Sequence, residues 1–214
     1  MNSDHLVTSS IVTYCNNNNN NSKIEEVTRC MKSFRECKRS GKIIVVDNSS
    51  KPYFRNASLS IENCEYIHNP KNPGYGASHN LAFQRLIKTN YHFILNPDII
   101  IEDQDLLEKL VEHLYQLKAS MVQPRIFGFD GNEQFLCKKN PTLMALFIRM
   151  FSLENKFKLL KDYNNDFIMK ELAYTETNTR STYLSGCAML VKSYDFEING
   201  GFDERYFMYL EDAD

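Results

Sequence analysis

The 214-residue chain has a hydrophobic share of 43% and a formal net charge of −2, which suits one soluble α/β domain and excludes the basic excess that bulk nucleic-acid binding requires. No apolar run approaches the ~20 residues of a membrane helix, and MNSDHLVTSS lacks the basic-then-apolar pattern of a secretory signal, so a cytoplasmic address is expected. The six cysteines are scattered without Cys-x-x-Cys spacing, which predicts reduced thiols rather than a zinc or disulfide framework.

Ile11 to Tyr14 reads as a first strand entering a loop of consecutive asparagines, Asn16 to Asn21, a polar tract with nothing to bury. Ser22 and Glu25 have capping-box spacing, and the helix after them places Ile24, Val27, Met31, Phe34 and Cys37 on one face. Ile43 to Val46 are continuously apolar and β-branched, as in a strand covered on both faces, so Asp47 stands at a strand's C-terminal end. A short strand at Tyr66–Ile67 leads to NPKNPGYGASHN and a helix with Leu81, Phe83, Leu86 and Ile87. Phe93–Leu95 is the next strand, running into Asn96, Pro97 and Asp98. A helix then carries Leu107, Leu110, Val111, Leu114 and Leu117, and Met121–Val122 begins another strand. Residues 127–182 interrupt this rhythm as an inserted basic segment, with one amphipathic helix expected between Pro141 and Leu160. A strand over Tyr183–Val191 follows, then Gly200–Gly201, Phe202 and the ending LEDAD, which has no closing helix and reads as a truncation. Alternating strands and helices predict an α/β fold with a mostly parallel sheet flanked by helices.

Open α/β sheets bind ligands beyond the carboxyl ends of their strands. Asp47, Asp98 and the pair Glu211–Asp212 lie at or near such ends, although each alone is equally readable as a solvated turn or cap. A diphosphate leaving group needs Mg2+ or Mn2+ held by one or two carboxylates and phosphate oxygens, a role open to Asp98 with Asn96 beside it. An inverting displacement needs a base for the acceptor hydroxyl, and Glu211–Asp212 behind the aromatic run Tyr206–Tyr209 suits it. Asn72-Pro73-Gly74-Tyr75-Gly76 lets backbone approach a ligand closely, or is simply a tight turn. It is not a dinucleotide fingerprint, whose third glycine would fall at His79.

Taken in order, VVDNSS, NPGYGASHN, FILNPDI, YLSGCAMLV and GGFDERYFMYLEDAD resemble the family 2 glycosyltransferases of the GT-A fold, within them the bacterial rhamnosyltransferase-like group of surface polysaccharide synthesis. The likeness runs from about Ile11 to the last residue. It implies a single, C-terminally incomplete GT-A domain over 1–214. It also implies an inverting transfer from a nucleotide-diphosphate sugar, with rhamnose as one donor, to a glycan or lipid-linked acceptor. Thr13, Tyr14 and Asp47 would then hold the nucleotide, and Asn48, Asn72, Gly74, Asn80 and Asn96 would belong to the nucleotide-sugar side. Asn96-Pro97-Asp98 corresponds to the D-x-D metal motif with its first aspartate replaced. Gly186, Phe202 and Asp203 would belong to the acceptor side, and Glu211–Asp212 matches the E-D pair whose second member is the base.

Lys138, Lys139, Arg149, Lys156, Lys158 and Lys161 accompany Leu143, Leu146, Phe147, Met150, Phe151 and Phe157. Such a mix suits peripheral contact with an anionic membrane, although plain packing on the sheet with solvated lysines is the reading we favour from sequence. A sugar-1-phosphate nucleotidyltransferase is the rival enzyme, but its glycine-rich loop after the first strand is missing, since the first glycine is Gly41. An inactive nucleotide-binding remnant is the non-enzymatic alternative.

Overall fold

The computed structural model describes residues 6–16, 20–86, 89–153, 156–170 and 181–212, which fall into two compact units, Met1–Pro124 with Gly186–Asp212 and Arg125–Ser185. The second unit contains residues 127–182.

In chain order the first unit contains β1 (Val7–Thr13), α1 (Asn20–Glu36), β2 (Ser40–Asp47), α2 (Arg55–Leu59), β3 (Cys64–His68), α3 (Tyr75–Gln84), β4 (Tyr91–Leu95), α4 (Leu106–Leu117) and β5 (Met121–Val122). The second holds β6 (Ile126–Phe127), β7 (Glu133–Gln134), β8 (Cys137–Lys138), α5 (Leu143–Met150), α6 (Lys158–Phe167) and β9 (Tyr183–Leu184). The chain then returns to the first unit with β10 (Ala188–Lys192) and α7 (Ser193–Ile198).

The sheet order is β3-β2-β1-β4-β10-β5. β1, β2, β3 and β4 pair in parallel, while β10 runs antiparallel to both β4 and β5. The chain moves outward from β1 to β2 and β3, then crosses back to β4 on the other side of β1. The order therefore reverses between β1 and β4, which puts a ligand crevice beyond their carboxyl ends. Neighbouring β4 residues face opposite sides of the sheet. Phe93 stacks on Phe34 of α1 at 6.4 Å, and His92 meets Phe83, from α3, at 5.3 Å. Helices thus cover both faces, and the apolar run Ile43–Val46 of β2 is wholly buried between them.

Several sequence expectations need correction. β1 begins at Val7 rather than Ile11, because its polar half is buried with its hydroxyls paired. Thr8 Oγ1 lies 3.0 Å from His92 Nδ1, Ser9 Oγ donates to Phe93 O at 2.9 Å, and Ser10 Oγ sits 2.6 Å from His79 Nδ1 and 2.8 Å from His92 Nε2. α1 starts at Asn20, so Ser22 and Glu25 lie inside its first turns and not at a cap. Residues 17–19 of the asparagine tract are outside the described residues, as is Ile87. α3 ends before Leu86, and it buries Gly76, Ala77, Ser78, His79, Asn80 and Ala82 instead of a large apolar face. The expected strand over Tyr183–Val191 is two, β9 and β10, separated at residues 185–187.

In the second unit the single expected helix is two. Among the described residues, Ala145, Phe167 and Ile168 form the small core of this pair with Phe135 against them. Leu143, Met144, Phe147, Met150, Phe151, Phe157 and Leu159 are exposed. Among the described residues, no helix is long and apolar enough to cross a membrane, and all six cysteines are free thiols.

Candidate active site

Thr13 ends β1 with Tyr14 just after it, and Asn96, Pro97 and Asp98 follow β4, on the two lips of the crevice. Thr13 is buried beside Asp47, its register partner on β2, whereas Tyr14 is 51% exposed and free to meet a planar ligand. Asp98 is exposed. Beneath it the backbone is tied down: the Asn96 N–H donates to Cys187 O at 2.8 Å and Cys30 Sγ–H to Asn96 O at 3.3 Å. Burial pushes the Cys30 thiol far up, and the negative charges of Asp98 and Glu26 add to it, so it stays an uncharged donor.

The other end of the site is the segment after α7, which docks on the start of α3 through glycines. Gly74 has φ +111° and ψ 177°, and a Cβ there would lie 2.2 Å from Phe207 O. The absence of a side chain lets the Tyr75 N–H donate to that carbonyl at 3.0 Å. A Cβ on Gly76 would lie 2.8 Å from Phe202 Cβ, and one on Gly186 3.3 Å from Asp212 Cβ. The Gly186 N–H donates to Asp212 Oδ2 at 2.7 Å, fixing a half-buried carboxylate. Glu211 beside it is buried, and its Oε2 has no hydrogen-bond partner among the described residues. Desolvation raises its pKa, and the charge of Asp212 raises it further. Glu211, Asp212, Phe202 and Asp203 line a cleft of about 560 Å³ together with Met121, Met189 and Asn199. Phe202 is a buried wall of this cleft, and Asp203 is ion-paired with Arg205.

The expected residues therefore divide. Tyr14, Asp98, Asp203 and Asp212 reach solvent, and Asn72 is half-buried in a left-handed turn with φ 45°. Asp47, Asn48, Gly74 and Asn80, expected to face the nucleotide sugar, face the protein instead. Asp47 is fully buried and accepts from the Tyr66 hydroxyl at 2.7 Å, the Ser49 N–H at 3.0 Å and the Phe54 N–H at 3.3 Å, so it shapes the 49–54 loop. Asn48 exchanges hydrogen bonds with Ser78 Oγ at 2.8 and 3.1 Å. The Asn80 amide donates to Phe202 O at 2.8 Å and accepts from the Phe202 N–H at 2.9 Å, anchoring the segment after α7. The close approach at Gly74 is to the chain's own backbone. Sequence reading missed Tyr75, whose hydroxyl lies 2.6 Å from Gly186 O and 2.9 Å from Asn96 Oδ1. Its signal was a lone tyrosine between two glycines. Burial above all, then acidic groups that include Asp212, Glu211 and Asp98, hold that hydroxyl protonated.

Among the described residues no three His, Cys, Asp or Glu side chains gather as a cation cage. One exposed carboxylate, Asp98, at a crevice mouth fits an ion held mainly by phosphate oxygens and water.

Residues 9–195 match the family model described as glycosyl transferase family 2. The chain is similar to the rhamnosyltransferase WbbL of Escherichia coli (strain K12), at 28% identity over 181 residues, 81% of this chain and 64% of that protein. It is also similar to the low-salt glycan biosynthesis hexosyltransferase Agl10 of Haloferax volcanii, at 26% identity over 175 residues, 80% of this chain and 50% of that protein. It thus spans between half and two thirds of the length of these relatives. Among solved structures, S. aureus TarS (residues 1–349) aligns with a TM-score of 0.61 at 14% identity, covering 97% of this chain and 53% of that one. The mannosyltransferase PcManGT from Pyrobaculum calidifontis, in complex with GDP-Man and Mn2+, aligns at 0.57 and 15% identity, covering 97% and 49%. At these identities the likeness shows the fold, which is GT-A. Matched over most of its length, the chain belongs to glycosyl transferase family 2.

Proposed function

We propose that this chain carries the donor-binding and catalytic residues of an inverting glycosyltransferase. The observation behind this reading is the Asp212 carboxylate, pinned by the Gly186 N–H on the same tyrosine that approaches the Asp98 strand end. The nucleoside end of the donor lies along Thr13 and Tyr14, with Asp47 acting through the loop it holds and Asn72 at the rim. Asp98 would hold Mg2+ or Mn2+, and the ion would supply charge neutralisation to the departing diphosphate. Asp212 takes the proton of an acceptor hydroxyl in the cleft beside Phe202 and Asp203. The hydroxyl oxygen bonds to the anomeric carbon from the face opposite the leaving group. The carbon–phosphate-oxygen bond breaks, and the nucleoside diphosphate departs with its electron pair. Similarity to a rhamnosyltransferase supports a rhamnosyl donor, and two neighbours solved with nucleotide or nucleotide sugar and Mn2+ support the cation. Calorimetry with dTDP, UDP and GDP tests the reading. One of them is expected to bind when Mn2+ is present, and Asp98→Ala is expected to abolish the Mn2+-dependent part. Binding indifferent to both would sink it.

We further propose that the second unit meets the anionic membrane surface on which a lipid-linked acceptor resides. Residues 141–161 contain Arg149, Lys156, Lys158 and Lys161 against Glu154 alone, a net +3 by count (4 − 1) in a chain of −2. Exposed apolar side chains beside basic ones bind interfaces by area and charge together. Sedimentation with phosphatidylglycerol vesicles is expected and should be lost in Phe147→Glu/Met150→Glu. Equal recovery with neutral vesicles, or none with either, removes this proposal.

A further inference from the structure

We infer that Tyr75 is a positioning residue that ties the cation end of the site to its base end, and that the tie dictates asparagine at position 96. The inference rests on the transferase reading for its catalytic meaning, and on geometry alone for the tie. Three chain segments converge on one hydroxyl: α3 through Tyr75 itself, the end of β4 through Asn96, and the 185–187 turn through Gly186. Asn96 and the turn are also joined by the Asn96 N–H to Cys187 O bond at 2.8 Å. From the turn, the Gly186 N–H reaches Asp212 Oδ2 at 2.7 Å. The path from the residue two before Asp98 to the Asp212 carboxylate is therefore the Tyr75 hydroxyl, the two peptide units that flank the Gly186 Cα, and the carboxylate.

The hydrogen count then selects the residue at 96. Tyr75 has one hydroxyl hydrogen, yet it lies against two oxygens, Gly186 O at 2.6 Å and Asn96 Oδ1 at 2.9 Å. The backbone carbonyl can only accept, and it is the closer, so the hydrogen goes there. A half-turn of the Asn96 amide, which leaves its outline unchanged, lets its NH2 donate to the phenol oxygen and satisfies all three groups. Aspartate at 96 could only accept. It would draw the hydroxyl hydrogen to itself, because a carboxylate is the stronger acceptor, and leave the Gly186 carbonyl without its donor. Asparagine before Pro97-Asp98 is then a requirement of the tie rather than a weakened cation ligand.

The test is carried out on the full natural chain with Tyr75→Phe, which removes one oxygen, and Asn96→Asp. Hydrogen exchange reads the tie without any assay of transfer. In both variants the Gly186 and Asn96 amides are expected to exchange about tenfold faster, while amides of Ile43–Val46 keep their rates. Single-turnover and steady-state kinetics read its role. Tyr75→Phe is expected to lower kcat about ten- to hundredfold and leave the KM for the donor within about threefold, the signature of misplacement rather than lost binding. Unchanged exchange at Gly186 in either variant overturns the tie. Faster exchange with kcat within twofold of the parent overturns its catalytic role. A parent that transfers no sugar from any nucleotide donor refutes the proposed function instead, with the exchange arm still deciding whether the tie exists.

Discussion

Asp212→Asn is expected to lower kcat of the full natural chain by about 10²- to 10⁴-fold and to leave nucleotide affinity within about twofold. The substitution is chosen because it keeps the outline of the side chain and an oxygen able to accept from the Gly186 N–H, the contact that locates Asp212 at 2.7 Å. What it loses is the capacity to take a proton. Rate measurements at saturating donor, paired with calorimetry, separate the two. Turnover near that of the parent would remove Asp212 from the role of base, and equal losses in rate and affinity would make it a binding residue. Glu211 provides an internal contrast. Its carboxyl is buried with Oε2 unpartnered among the described residues, and desolvation favours its protonated form. Asp212 is the base expected by resemblance, and it differs from Glu211 in being half-exposed and located by the Gly186 N–H.

Physical reach governs how much of this was legible in the sequence. β2 could be read directly, because Ile43–Val46 are buried on both faces and the pattern is local. The first half of β1 could not. Val-Thr-Ser-Ser is polar, and its burial depends on histidines 69 to 84 residues away that pair with its hydroxyls. α3 was expected to bury large residues. It buries glycine, alanine, serine and asparagine, because the segment of Phe202 and Phe207 presses against it, and that segment's place is set more than 120 residues later. Strand-end logic and ordered motifs point to Asp98 and Asp212 as candidates, which the structure leaves exposed and half-buried. Asp47, in the same logic, was assigned to ligand, and only the Tyr66 hydroxyl and two backbone N–H groups reveal that its carboxylate serves the protein. Tyr75 reaches Gly186 across 111 residues, a pairing no local spacing announces.

The buried histidines carry the second large expectation: the chain should lose about 3 kcal/mol of unfolding free energy between pH 7.5 and pH 5.5 from His79 and His92 alone. Both rings are fully buried. Burial lowers His92 to about 3, and burial together with the neighbouring His92 lowers His79 well below the usual range. In the unfolded chain both titrate near the ordinary value of about 6.5. Between that value and the depressed folded values the unfolded state binds more protons, so stability is present above about pH 6.5 and falls as the pH drops through the window, by about 1.4 kcal/mol per unit for each ring. Urea midpoints at the two pH values measure the loss, and the ring-carbon NMR signals of both residues should stay at neutral positions down to pH 5. A pH-independent midpoint, or rings that titrate in the folded chain, would contradict the assignment. The effect reaches the site, because the His79 ring packs 4.4 Å from that of Tyr75, and Tyr75 carries the Gly186 contact. Opening the core by protonating His79 withdraws support from Tyr75. Activity lost on acidification should therefore follow the unfolding transition of α3, and restoring neutral pH should return both together.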